Sequence, residues 1–449
     1  MARAMKGTFA SLKYLRRYFS VFALTLALAA VGEAAARDLW VAPEGVACTS
    51  TSTACSCTEA APCVLTRELF VQLVPGDSVN LLSGSYPGLV VHGVHGSPDQ
   101  PIVIRGSSVA PSADSKGATI RGDNTGRRDA LELVRSSHLV IENLRVSHAR
   151  RAGIRVNNSH HVEIRNSLLD NNAVWGIFTN HANHFSATRN TIVGPARQHG
   201  IYHSNSADHV QIIGNYIVGF ERAGVQLNGD LSMGGASGVT PDGVISHVEI
   251  RDNFLAGHGS GGGGAINLDG VETVFIEGNI LVGNKAAGIT VFREDGAIGS
   301  RHVYAQRNLL VMAPESRWAI IFNKSGPGSH FSNNVIIAQD KRRGVYDVNN
   351  VSHGVLPYSE IEGLPFTSDR NYFYYAGSFA VLNNRERLGF RSWQRRGQDD
   401  ASALLELGVL LEPGPDFALQ LPESVSDAMN ELGVALQNPY RHLLDVESE

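Results

Sequence analysis

The chain has 449 residues, 43% hydrophobic and only 18% charged, with 47 glycines. That balance describes a folded, strand-rich protein and excludes a disordered one, which would carry more charge and fewer β-branched residues. The net charge of −5 makes the chain a poor general binder of nucleic acid or of an anionic membrane.

Residues 1–36 read as a secretory signal peptide. Arg3, Lys6, Lys13, Arg16 and Arg17 form a basic leader, Phe19 to Val31 is largely apolar, and Ala34-Ala35-Ala36 offers a small-residue cleavage site. The apolar run is shorter than the roughly 20 residues that span a bilayer, so no membrane span is expected in the mature chain. Arg16-Arg17 leaves a twin-arginine route open beside the general one. The leader holds five Lys/Arg and one Glu, so its removal takes the net charge from −5 to −9. A secreted or periplasmic, monomeric protein is expected.

Residues 37–100 are expected to form an N-terminal cap and a first coil. Cys48, Cys55, Cys57 and Cys63 fall in one short segment. In an exported chain they read as two disulfides with three possible connectivities, of which 55–57 is the most strained. Leu65 to Val74 completes this cap.

From 101 to 350 the chain repeats. Apolar strands ending in asparagine recur as HLVIEN, HVEIRN, HFSATRN, HVQIIGN, HVEIRDN, TVFIEGN, HVYAQRN and HFSNN, closing at Asn143, Asn166, Asn190, Asn215, Asn253, Asn279, Asn308 and Asn334. A second strand, opened by glycine or a small residue, precedes each. A unit of about 24 residues made of short strands cannot bury its own apolar face and must stack on its neighbours. No helical period separates the strands, so the fold class is all-β: a right-handed parallel β-helix with three strands per coil.

Stacking gives the repeated residues physical roles. The asparagines can form an amide ladder along the axis. His138, His161, His184, His209, His247, His302 and His330 open the same strand and form a second column, read as structural, so no metal ligand is assigned among them.

The Gly-Ile-x-x-Asn and Ile-x-x-Asn coils resemble the repeats shared by secreted pectate-lyase-like and alginate-active proteins. RAGVQLNGD, GGGGAINLDG, GITVFREDGA and RWAIIFN resemble more closely a family of bacterial exported right-handed β-helix proteins over about residues 38–425. The resemblance implies the fold, and with it lyases, hydrolases, epimerases and non-catalytic adhesins as functional classes.

On the outward face of the second strand, Tyr202, Gln226, Asn228, Asn267 and Phe292, with Arg317 at a turn beside it, are candidate substrate-binding residues. Their polar and aromatic side chains suit sugar hydroxyls and sugar ring faces. Asp269, Asp230 and Asp295 lie in successive coils and could serve as paired carboxylates in glycoside hydrolysis. Arg293 could neutralise a uronate while His199 or Tyr202 takes a proton. Each Asp also sits at or beside a turn, where Asx residues are favoured for local reasons alone. An Asp cluster could hold Ca²⁺. The glycine stretch Gly257 to Gly264 is expected to turn tightly beside the insertion LSMGGASGVTPDG and leave room for a ligand.

Residues 351–449 lose the repeat and are expected to form an irregular C-terminal cap, with a helix near Ser424 to Leu436. The functional expectation is a carbohydrate-active enzyme cleaving a polysaccharide by elimination or hydrolysis. The alternative is a non-catalytic glycan-binding or cell-surface β-helix.

Overall fold

The computed structural model describes residues 35–46, 56–106, 117–123, 126–233, 241–349, 364–414 and 417–446. Residues 1–34 of the expected signal peptide, Cys48 and Cys55 lie outside them. Among the described residues no helix is long and apolar enough to cross a membrane.

Three sheets of twelve strands each wind into a parallel β-helix, every coil giving one strand to each sheet. The core follows from the period-2 pattern of the strands. In the second sheet Ile154, Ile177, Ile201, Val225, Ile266, Ile289 and Ile320 stand in register. All are buried and point inward. A second inward column runs through Val156, Thr179, His203, Leu227, Leu268, Val291 and Phe322 in the same registers.

The amide ladder forms, with a shifted start. Asn190, Asn215, Asn253, Asn279, Asn308, Asn334 and Asn371 donate side chain to side chain along the axis, for example Asn215 Nδ2 to Asn253 Oδ1 at 2.9 Å. Asn143 and Asn166 are not in it. They occupy the preceding corner, with φ of 55° and 47°, and Ser167 fills the ladder position of its coil by donating its backbone N–H to Asn190 Oδ1. Asparagine tolerates the left-handed region as well as it pairs in ladders, so one residue type serves two adjacent positions.

The histidine column is likewise shorter than the repeat suggested. His138, His161, His184, His209 and His247 stack at centroid spacings of 4.2–4.9 Å. Thr273 takes the place in the next coil, with φ 57°, before His302 resumes it. His330 pairs with Tyr304, two residues further along the strand, while Gly328 meets the ring of His302.

At the N-terminal end Cys57 and Cys63 are joined, and the short helix Arg67–Val71 buries Leu69 and Phe70 in the core. At the other end the coils run past residue 351: Phe366–Asp369, Tyr372–Tyr375 and Ala380–Leu382 extend the three sheets. The helix Phe390–Gln394 then closes the open end, Trp393 stacking on Tyr346 at 5.1 Å.

The remaining C-terminal segment is more than a cap. It runs back over the outer face of the third sheet, packing Leu411, Leu419, Val425 and Met429 on Phe254, Ile280, Leu309 and Val335. Its helix spans Glu423–Leu432 and stops at Gly433, which takes the left-handed conformation that terminates helices. Asn438 donates to the carbonyls of Asn253 and Gly278, and Tyr440 to that of Gly214.

Candidate active site

The outward positions of the second sheet stand in two rows. One carries Arg155, Phe178, Tyr202, Gln226, Asn267, Thr290 and Ile321; the other Asn157, Asn180, Ser204, Asn228, Asp269, Phe292 and Asn323. This is the face expected from alternation, but at its centre it is not open. Gln226, Asn228, Asn267 and Asp269 are only 2–8% exposed, because turns at both ends of the strands rise over them. The result is a cleft of about 570 Å³.

Its floor is a chain of amides. Asn267 Oδ1 accepts the Gly264 backbone N–H, Asn267 Nδ2 donates to Gln226 Oε1, and Gln226 Nε2 donates to the Leu227 carbonyl, at 2.8–3.1 Å. Asn228 Nδ2 reaches both the Tyr202 hydroxyl and Asp295 Oδ2 at 3.2 Å, while its Oδ1 is buried without a partner. One amide thus holds a phenol and a carboxylate side by side. Burial first, then the neighbouring carboxylates of Asp295, Asp230 and Asp269, raise the Tyr202 pKa against the opposing Asn228 hydrogen bond. Tyr202 is therefore a protonated acid at neutral pH.

Asp269 has a different task. Its carboxylate accepts the backbone N–H groups of Glu294, Asp295 and Gly296 at 2.8, 2.9 and 3.2 Å, which pins the turn after Phe292. Burial raises its pKa and these three bonds oppose the rise. Arg293 Nε donates to the Gly296 carbonyl in the same turn. Asp230 pairs with Gly296 across an antiparallel bridge and accepts from the Ser232 backbone and hydroxyl. Asp295, exposed at the tip of this turn, lines the cleft; Asp230 and Arg293 shape the rim without lining it.

The opposite rim is basic. Gln198, His199, Arg222, Gly262, Gly263 and Arg317 line it. His199 Nδ1 accepts the Ala223 backbone N–H at 3.1 Å, and burial, with Arg222 and His258 adding to it, pushes its pKa down to about 3. The ring is neutral with its proton on Nε2, a hydrogen-bond donor to the cleft rather than a base.

The glycine stretch reaches this rim at Gly262 and Gly263. Gly257, Gly259, Gly262 and Gly263 have φ of 68–99°, and a Cβ on Gly259 would meet Ala286 at 2.8 Å. The described ends of the insertion, residues 231–233 and 241–243, lie at the other rim, where Gly243 packs on Leu231 and Ala297. The strand Gly264–Asp269 separates these ends from the glycine run, at about 3.3 Å per residue. Residues 234–240 lie outside the described residues.

Of the sequence-derived candidates, the cleft gathers Asp269, Asp295, His199, Tyr202, Gln226, Asn228, Asn267, Phe292 and Arg317. It adds Gln198, Arg222, Glu294 and Asn323. Arg222 was legible: it stands three residues before the inward Val225, as Arg317 stands before Ile320. Trp175 was not foreseen; its ring lies 4.6 Å from Phe178, which stacks on Tyr202 at 5.2 Å. The acidic residues of the cleft form no clustered carboxylate site. Asp269 is engaged by three N–H donors, and among the described residues the acids bring no three carboxylates within ligand distance of one another.

Residues 92–217 and 129–310 match the family model of the right handed beta helix region. The chain carries a right-handed β-helix. Among curated proteins none matches the sequence. Solved structures similar to this β-helix chain include an alginate lyase from Paenibacillus sp., 15% identical, covering 70% of this chain and 94% of its own, TM-score 0.40. The GH136 lacto-N-biosidase from Eubacterium ramulus is 13% identical, covering 82% and 67%, TM-score 0.49. The surface adhesin PfbA of Streptococcus pneumoniae is 13% identical, covering 70% and 86%, TM-score 0.47. A fold does not fix a function, which has to be argued from the cleft.

Proposed function

We propose that this β-helix protein is an exported carbohydrate-active enzyme that cleaves an acidic polysaccharide bound across the second sheet. The observation that carries the reading is the Asn228 amide bonded to both Tyr202 and Asp295 inside a cleft whose far rim holds Arg222 and Arg317. Asp295 is an exposed carboxylate able to take a proton, and Tyr202 a phenol kept protonated and able to give one. The two arginines supply cationic charge for the anionic groups of the sugar chain.

That pairing suits elimination. Asp295 takes the proton next to the uronate carboxylate, the electron pair forms the ring double bond, the C–O bond to the leaving sugar breaks, and Tyr202 protonates the departing oxygen. Hydrolysis needs two available carboxylates on either side of the bond. Asp269 is held by backbone donors, which leaves Glu294 and Asp295, neighbours on one turn. His199, neutral, donates from Nε2.

The stacked rings Trp175, Phe178 and Tyr202, continuing the row beyond the cleft, favour a second reading, glycan binding without cleavage. Incubation with a panel of acidic and neutral polysaccharides separates the readings. Elimination gives unsaturated-uronate absorbance together with new reducing ends. Hydrolysis gives reducing ends alone, and retention without either product supports binding only.

A further inference from the structure

Away from the cleft, on the first sheet, His138, His160 and His161 bring one ring nitrogen each within 4.8 Å of the others. His138 and His161 are neighbours in the stacked column, at 4.4 Å and 24°. His160 stands beside the column, edge-on to both, at 5.7 and 5.2 Å. Its Nδ1 is 2.9 Å from His161 Nδ1. Two neutral imidazoles at that separation share one Nδ1–H, so a cation bound here displaces that proton or uses the remaining ring nitrogens.

His161 is fixed in place, since His184 stacks on its other side at 4.2 Å.

We propose that His138, His160 and His161 form a binding site for a borderline divalent cation, zinc being the probe, that staples two adjacent coils together. Imidazole suits zinc, copper and nickel rather than calcium or magnesium. Three nitrogens around tetrahedral zinc lie about 3.4 Å apart, and because stacked rings present parallel lone pairs, His138 has to turn out of the stack for all three to converge. His160 and His161 are exposed, so the cation has an entry path and a fourth position is open to water. His95 stands in register one coil beyond Ser137 from His160 and is the next imidazole along. The column reading missed this group because His160 is outside the repeated position.

The test is calorimetric titration of the protein, prepared without a histidine tag, with zinc chloride at neutral pH. One saturable site per chain is expected. His160→Gln and His161→Asn should each weaken it at least about tenfold, since a direct ligand costs no less than an outer-shell partner. Asparagine is chosen at 161 because it tolerates the φ of 52° found there. His247→Asn, in the same column but outside the trio, should bind as the parent does. Zinc should also raise the melting temperature of the parent and not of the two variants, whose metal-free melting temperatures report whether the fold is kept. Absence of saturable binding, or equal affinity in His160→Gln and the parent, would overturn the proposal.

Discussion

Asp269 shows how a residue's surroundings decide its task. Its position at the centre of the outward row suggests a catalytic carboxylate, yet three backbone N–H groups already occupy its oxygens. It holds the turn that carries Asp295. Asp269→Asn replaces one accepting oxygen by an amide that faces a donor, leaving a buried N–H unpaired at a cost of about 1–3 kcal/mol. A lower denaturant midpoint is expected, and an unchanged one would mean that the turn is held without it. Sequence placed Asp269 correctly and could not show this, because what its oxygens bind lies in the next coil. Arg222 failed differently. Its offset from Val225 matched that of Arg317 from Ile320, so the information was present and only Arg317 was taken from it.

The coil-to-coil columns are the elements that make the repeat a structure. Asn215 accepts the backbone N–H and Nδ2 of Asn190 and donates to the Ala187 carbonyl and to Asn253. Asn215→Leu removes all of these at once inside a fully buried row. Each orphaned group costs about 1–3 kcal/mol, so a fall of several degrees in melting temperature is expected on thermal unfolding. An unaltered melting temperature would show that the ladder carries no stability. The period exposed these columns, but not their ends or offsets. Asn143 and Asn166 share the repeated spacing while sitting in corners of positive φ, and His330 shares a local pattern while lying two residues out of register. Register is set by pairing with the neighbouring coil, which no single strand records.

At the scale of the whole molecule, three of the four buried histidines among the described residues are held neutral by the fold. His199 and His258 each accept a backbone N–H at Nδ1, while His203 and His258 donate from Nε2 to the carbonyls of Ala207 and Ile217. Burial pushes His199 down to about 3 and His203 and His258 to about 4. Between those values and the unfolded value near 6.5 the unfolded chain binds more protons, so stability is full above pH 6.5 and falls as the pH drops. A loss of about 1–2 kcal/mol per histidine by pH 5 is expected. Urea unfolding at pH 7 and pH 5 checks this, and equal midpoints would contradict it. At this scale the sequence was most legible, since stacking of identical short units leaves few architectures. The C-terminal segment was not, because its apolar residues contact strands far earlier in the chain, from Val218 to Ile337, and carry no repeat of their own.

The most direct test of the account is the turnover of an acidic polysaccharide by Asp295→Asn beside the parent, with affinity for the same glycan measured in both. Asn keeps the size of the side chain and its contact with Asn228 but cannot take a proton. The account predicts binding within a few-fold of the parent and loss of at least about 10²-fold in kcat, the scale of a general base. Full turnover by Asp295→Asn, on a substrate the parent cleaves, would contradict it.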